Sequence, residues 1–218
     1  VSCWTDSEEE SIPLWKMYAG KEMHGIRISL DSDMFLKYHI PSGRFYGVDV
    51  YSKNEKSSIL PIEKIVTKDY LVVPSFNDSE MFFKKVLYVD NPFSEMRDVV
   101  QIQDMGNGEG AMKMNLKKIG LYKRKCWAFQ KEHRFTLTIL PNIWGDIDIN
   151  QMPKRIMQAV YDRIPPKLSF FDLEINPELL SKMKITLSPI CSEAEKVIVE
   201  SIVQKFAPKA IIRESMLK

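Results

Sequence analysis

The sequence predicts an α+β fold: one domain, a mixed or antiparallel central sheet with flanking helices, and a β-α-β unit at the C-terminal end. Three observations carry this. Period-2 alternation recurs at scattered places, as in Ile26-Arg27-Ile28-Ser29-Leu30 and Phe135-Thr136-Leu137-Thr138-Ile139. Helical periodicity is confined to short stretches and the last thirty residues. Strands outnumber clean strand–helix alternations over the first two-thirds, which argues against a doubly wound sheet.

In chain order, residues 1–5 read as a short strand. The acids Asp6, Glu8, Glu9 and Glu10 lead into a helix that runs to about Gly20, with Pro13 in its early turns and Leu14, Met17 and Tyr18 as its apolar stripe. A strand follows at 25–30, then a short helix over 31–38 capped by Asp31. Pro41-Ser42-Gly43 is a turn, and strands are expected at 45–51 and 81–89, the latter ended by Asp90-Asn91-Pro92. Gly106-Asn107-Gly108-Glu109-Gly110 reads as a mobile loop, because it lacks the spacing and context of a dinucleotide fingerprint. A basic helix is expected over 112–123, a strand over 134–140, a loop over 146–153, a helix over 154–163 and a strand over 168–175. Strands 25–30, 46–51, 81–89 and 134–140 are expected to pair as the central sheet. At the end, a strand at 184–187 precedes Ser192-Glu193-Ala194-Glu195, a capping box with Ser192 as N-cap and Glu195 at N3. The helix it opens carries Ala194, Val197, Ile198, Ile202 and Phe206, stops at Pro208, and gives way to a strand at 210–212.

A chain of 218 residues supports one sizeable core or at most two small ones. A net charge of +2 excludes a bulk electrostatic nucleic-acid binder. The charge is unevenly placed: residues 113–134 hold eight Lys or Arg against one acid, Glu132. That asymmetry points to an anionic ligand or to a solvated face. Cys3, Cys126 and Cys191 are odd in number and far apart, with no spacing of a zinc site, as suits free thiols in a cytoplasmic protein. His24, His39 and His133 lack metal-ligand spacing and read as structural or surface residues, so no metal is expected. No apolar run reaches the roughly 18 residues of a membrane span, and no membrane partner is expected. The opening Val1-Ser2-Cys3-Trp4 resembles the interior of a strand, so a natural N-terminal segment is expected to be missing from a domain that otherwise covers 1–218.

Chemistry concentrates at Trp127-Ala128-Phe129-Gln130-Lys131-Glu132-His133-Arg134. Residues two apart on a strand share a face, so Glu132 and Arg134 lie together, with His133 on the opposite side. An acid and a base so held make a site, or an ion pair and nothing more. Trp15 and Tyr18, three apart on one helix face, are core anchors or the wall of a cleft. Cys3 reads as a buried strand residue.

Three ordered segments are similar to a recurrent bacterial pattern: Ser2-Cys3-Trp4-Thr5 with Leu14-Trp15-Lys16-Met17-Tyr18-Ala19 and His24-Gly25-Ile26-Arg27-Ile28; Lys125 to Arg134; and Leu187-Ser188-Pro189 with Ser215. The chain resembles the bacterial domain-of-unknown-function family twenty-nine seventy-one over nearly its whole length. Gln130 and Phe129 depart from that pattern, which has Glu and Tyr there. More distantly, Gln130-Lys131-Glu132 resembles the late Gln/Glu-x-Glu element of ADP-ribosyltransferases. The resemblance implies an ADP-ribosyltransferase-like fold and NAD as a substrate. In that reading Glu132 is the catalytic carboxylate, stabilising positive charge on the ribose. Trp15 or Tyr18 would stack on nicotinamide, with Gln130 and Arg134 also at the ligand.

Three functions follow. The first is an NAD-using transferase or glycohydrolase, a toxin or anti-phage defence effector acting on a protein or nucleic-acid acceptor. The second is a nucleic-acid-binding module built on Lys113 to Arg134, with Tyr122, Trp127 and Phe129 as stacking groups. The third is a non-catalytic interaction domain of a bacterial defence or toxin system. The oligomeric state is left open.

Overall fold

The computed structural model describes residues 1–40, 42–45, 48–50, 57–106, 109–142 and 151–218. Their contacts form two compact units. One comprises Val1–Asp6 and Tyr38–Phe171, the other Ser7–Lys37 and Asp172–Lys218. Both mix short helices with small sheets, so the chain is α+β.

In the first unit the sheet that matters is three-stranded and antiparallel. Glu132–Phe135 lies in the middle, between Ser2–Thr5 and Phe83–Lys85. The register sets Cys3 and Lys84 on either side of Arg134. Phe135 is buried on this sheet, its ring 4.5 Å from Phe83 and 5.3 Å from Phe82. Phe82, Val72, Phe76 and Val86 are also buried in this unit. The unit also contains two-stranded pairings. Among them are Val100–Gly106 with Glu109–Met114, and Leu87–Val89 running parallel to Tyr122–Arg124.

In the second unit, Lys184–Leu187 lies between Ile26–Ser29, antiparallel, and Ile211–Arg213, parallel. The helix Glu193–Phe206 links the two parallel strands, forming the β-α-β unit that the capping box and its apolar periodicity predict. Ile185 and Leu187 are almost fully buried, and Trp15 of the helix Ile12–Tyr18 is buried in the same unit.

Among the described residues the expected single central sheet does not form. Ile26–Ser29 pairs within the second unit, Val48–Val50 with Gly43–Phe45, and Phe83–Lys85 with Glu132–Phe135. The reason lies in pairing, which alternation does not encode. The expected strand 134–140 switches partner partway: Thr136 turns its N–H and hydroxyl to the carbonyls of Phe82 and Met81, and Ile139–Pro141 then pairs with Tyr70–Val72. The expected strand 81–89 opens as helix instead. Asp78 caps Ser79–Phe82 by accepting from the Glu80 and Met81 amides at 2.9 and 3.3 Å.

The expected basic helix over 112–123 is a strand end, a turn and a further strand. Gly120 sits at φ +72°, a left-handed conformation that interrupts a helix and that glycine adopts without strain. The expected helix over 31–38 is a turn in which Asp31 accepts from the Asp33 amide. The expected strand over 168–175 is irregular, and among the described residues it pairs through an isolated bridge from Ile175 to Phe35. The ends of the glycine segment 106–110 belong to paired strands, while Asn107 and Gly108 lie outside the described residues, as do parts of the expected turn at 41–43, strand at 46–51 and loop at 146–153. The expected helix over 154–163 is present as Met152–Tyr161. No helix among the described residues is long and apolar enough to cross a membrane.

Candidate functional site

Glu132 enters its strand from a tight 3-10 turn, Lys125–Gln130. Lys131 closes that turn in the left-handed region at φ 44°. Backbone groups then anchor Glu132. Its N–H donates to the Tyr88 hydroxyl at 2.9 Å, and its carbonyl accepts from the Val86 N–H at 2.9 Å. The residue is 4% exposed.

Both carboxylate oxygens are engaged. Arg134 Nε donates to Oε1 and Lys123 Nζ to Oε2, each at 2.7 Å. The Cys3 thiol, across the strand from Arg134, adds a hydrogen bond to the same carboxylate. Lys123 also donates to the Gln130 side-chain oxygen and sits 5.5 Å from the centre of the Trp127 ring. Arg134 reaches on to the Gly120 carbonyl at 2.8 Å. Beside it, buried Lys84 donates to the carbonyls of Leu116 and Ile119 at 2.9 and 2.8 Å. Two cations thus hold three carbonyls of the turn that replaces the expected basic helix.

The electrostatics follow from this geometry. Burial pushes the Glu132 carboxyl up. The hydrogen bonds from Arg134, Lys123 and Cys3, with the Arg134 charge, outweigh burial and lower it to about 2. Burial and the adjacent Glu132 carboxylate raise the Cys3 thiol, so Cys3 is not an activated thiolate at neutral pH. Burial lowers the Lys84 ammonium.

The structure brings Glu132, Gln130 and Arg134 together. Trp15 and Tyr18 belong to the other unit. There Trp15 is buried and its indole N–H donates to Glu10 at 3.2 Å, while Tyr18 is 71% exposed at the helix end. Cys3, expected to be buried, is an exposed residue whose thiol meets Glu132. His133 stacks on Phe83 at 4.9 Å, on the side opposite Glu132 and Arg134, and His24 pairs with Glu195 at 2.6 Å. Among the described residues no group of three or more His, Cys, Asp or Glu is placed to hold a metal ion.

Lys123, Tyr88, Cys3 and Lys84 complete the cluster and were not singled out for it by sequence reasoning. Their selection depends on strand register, which no local pattern encodes. A hint existed for Lys123 alone, as part of the charge run beside a lone acid.

Most of that charge run is neutralised internally. Lys117 pairs with Glu80 at 2.8 Å, Lys118 with Asp98 at 2.6 Å, Lys125 with Asp90 at 2.8 Å, and Lys123 and Arg134 with Glu132. Lys113, Arg124 and Lys131 have no acid partner among the described residues. The aromatic part of the segment stays open. Trp127 and Phe129 are 39% and 42% exposed, with ring centres 6.0 Å apart. Comparison with protein-family models, with curated proteins and with solved structures gave no match.

Proposed function

We propose that the chain binds a nucleotide-type ligand, a planar base carried on phosphate, at the turn from Arg124 to Lys131. The observation that supports this is the exposed Trp127–Phe129 pair, flanked by Arg124 and Lys131, which have no acid partner among the described residues, and backed by Lys123. Aromatic faces accept any base, and each stacked base is worth about 1–3 kcal/mol. Cations beside the rings supply the phosphate contacts. Glu132 is then a positioning residue, holding Lys123 under the Trp127 ring and Arg134 against the turn. The test is titration of the chain with NAD and, separately, with a short single-stranded oligonucleotide, read by tryptophan fluorescence. Saturable binding that Trp127→Ala abolishes is the expected result. With Arg124 and Lys131 each contacting one phosphate, the oligonucleotide should show a slope of log K against log salt of about −1.4. No saturable binding of either probe overturns the proposal.

A second reading, NAD turnover by Glu132, is favoured by one observation. Arg134 and Lys123, one on each oxygen at 2.7 Å, keep the carboxylate in its charged form, as stabilisation of a ribose cation requires. The resemblance to ADP-ribosyltransferases through Gln130-Lys131-Glu132 supports the same reading, in which the chain would serve as a bacterial toxin or anti-phage defence effector. Catalysis would require Lys123 or Arg134 to release one oxygen to the substrate. Glu132→Gln should abolish NAD consumption even at NAD concentrations that saturate binding. If the unsubstituted full-length protein consumes no NAD, this reading falls and the binding role stands alone.

A further inference from the structure

The helix Glu193–Phe206 has two apolar faces, and the fold uses one. Val203 and the following Ala207 are buried. On the other side Ala194, Val197, Ile198, Ile202 and Phe206 are exposed, the last four by more than half. Ala194, Ile198, Ile202 and Phe206 follow one another at four-residue intervals and form a single ridge. Solvated helix faces seldom carry such a row, and contiguous apolar patches mark interaction sites.

We infer that this ridge is a self-association surface, on which the same helix of a second copy packs antiparallel about a two-fold axis. The ridge is complementary to its own reverse. With the axis between Ile198 and Ile202, each Ile198 meets the partner's Ile202, and the small Ala194 of one copy faces the large Phe206 of the other. The ends carry opposite charge. Glu193 stands at the start, and Lys205 and Lys209 at the end; none is in an ion pair among the described residues, Glu193 acting on Lys196 only at longer range and Lys205 lying 5.1 Å from the centre of the Phe206 ring. By contrast, Glu195 and Lys196 are taken by His24 and Glu214. Antiparallel packing brings each Lys205 within a turn of the partner's Glu193 and opposes the two helix dipoles. A polar group inside the face is already satisfied: the Ser201 hydroxyl donates to the Val197 carbonyl at 2.7 Å, so covering it strands nothing. Parallel packing would set like charge on like charge and Phe206 against Phe206. A two-fold contact of this kind is isologous and closes at the dimer. A helix of 14 residues is about 21 Å long, which places the contact at the small end of specific interfaces and makes the dimer dependent on concentration.

Sedimentation velocity over a range from low to several hundred micromolar tests this on the unmodified chain. A monomer–dimer equilibrium is expected. Ile198→Asp should weaken it at least about tenfold, corresponding to about 1.4 kcal/mol, and the circular dichroism melt verifies that this exposed substitution leaves the fold intact. Glu193→Lys and Lys205→Glu provide a second test. Each alone should weaken self-association, and an equimolar mixture of the two should restore it as a heterodimer. A single-chain mass at every concentration overturns the inference and assigns the face to another partner. A dimer indifferent to Ile198→Asp, or a mixture no tighter than its components, overturns it equally.

Discussion

Glu132 in the first unit and Glu10 in the second do the same job with different chemistry. Each carboxylate gathers donors from distant parts of the chain. Glu10 accepts from the Trp15 indole at 3.2 Å, the Ser215 hydroxyl at 2.7 Å and the Met216 backbone N–H at 2.7 Å, tying the last residues to the first helix. Glu132 accepts from Lys123, Arg134 and the Cys3 thiol. The donors of Glu10 are all neutral; two of those on Glu132 are cations. A neutral clamp that loses its carboxylate leaves polar groups that water or an amide can satisfy. A charged clamp leaves two cations with nothing to offset them. The sharper sensitivity to substitution should therefore lie at Glu132.

The largest effect expected is that of Glu132→Ala. Breaking a buried pair by removing one partner costs about 3–5 kcal/mol. The lower end applies here, because Lys123 and Arg134 retain some access to water, with side chains 24% and 15% exposed. Urea unfolding measures it, and a cost under about 1 kcal/mol would mean that the clamp does not hold in solution.

Acid makes the same comparison without a substitution. A carboxyl lowered to about 2 in the fold, against an ordinary value near 4.5, contributes stability that is fully present above about pH 5. That contribution disappears as pH falls toward 2, and its size is on the order of 3 kcal/mol. Melting temperature should fall over that window in the unmodified chain and fall less in Glu132→Gln. Parallel curves for the two would break the comparison. Glu10→Gln comes next, at about 1–2 kcal/mol, since an amide oxygen keeps part of the donor set. It should speed hydrogen exchange of the Met216 amide and the Trp15 indole. A cost matching that of Glu132→Ala would show that charge on the donors does not distinguish the clamps.

What could be read in advance divides along a similar line. The C-terminal β-α-β unit was legible because its signals are local: Ser192 and Glu195 three apart, and a helical apolar period between two short strands. That Glu132 and Arg134 share a face was legible for the same reason, since a period of two needs no partner. What the pair does was not legible. Lys123 is nine residues away along the chain and meets Glu132 only because the turn Lys125–Gln130 folds back, and Cys3 meets it only through the register of Ser2–Thr5. The expected basic helix failed for a tertiary reason. Lys84, more than thirty residues upstream, and Arg134 take the carbonyls that a helix at 116–120 would have kept for itself. Trp15 was legible as an aromatic anchor, but its partner Glu10 was visible only as one acid among four.

The smallest effect isolates a contribution that neither clamp supplies. Ser192 and Glu195 bond reciprocally: the Glu195 amide donates to the Ser192 hydroxyl oxygen at 3.3 Å, and the Ser192 amide donates to the Glu195 carboxylate at 2.8 Å. Those bonds to Ser192, with His24 alongside, hold the Glu195 carboxyl down to about 2. All of this is at the surface, where water replaces whatever is lost. Ser192→Ala removes one capping acceptor and should cost about 1 kcal/mol, less than either carboxylate substitution. Ser192 precedes the exposed apolar ridge of its helix and contributes nothing to it, so self-association should not change. A thermal melt checks the first point and sedimentation the second. An unchanged midpoint would mean that the helix starts without its box, and that the stability of the second unit rests on Glu10 and the buried Ile185 and Leu187.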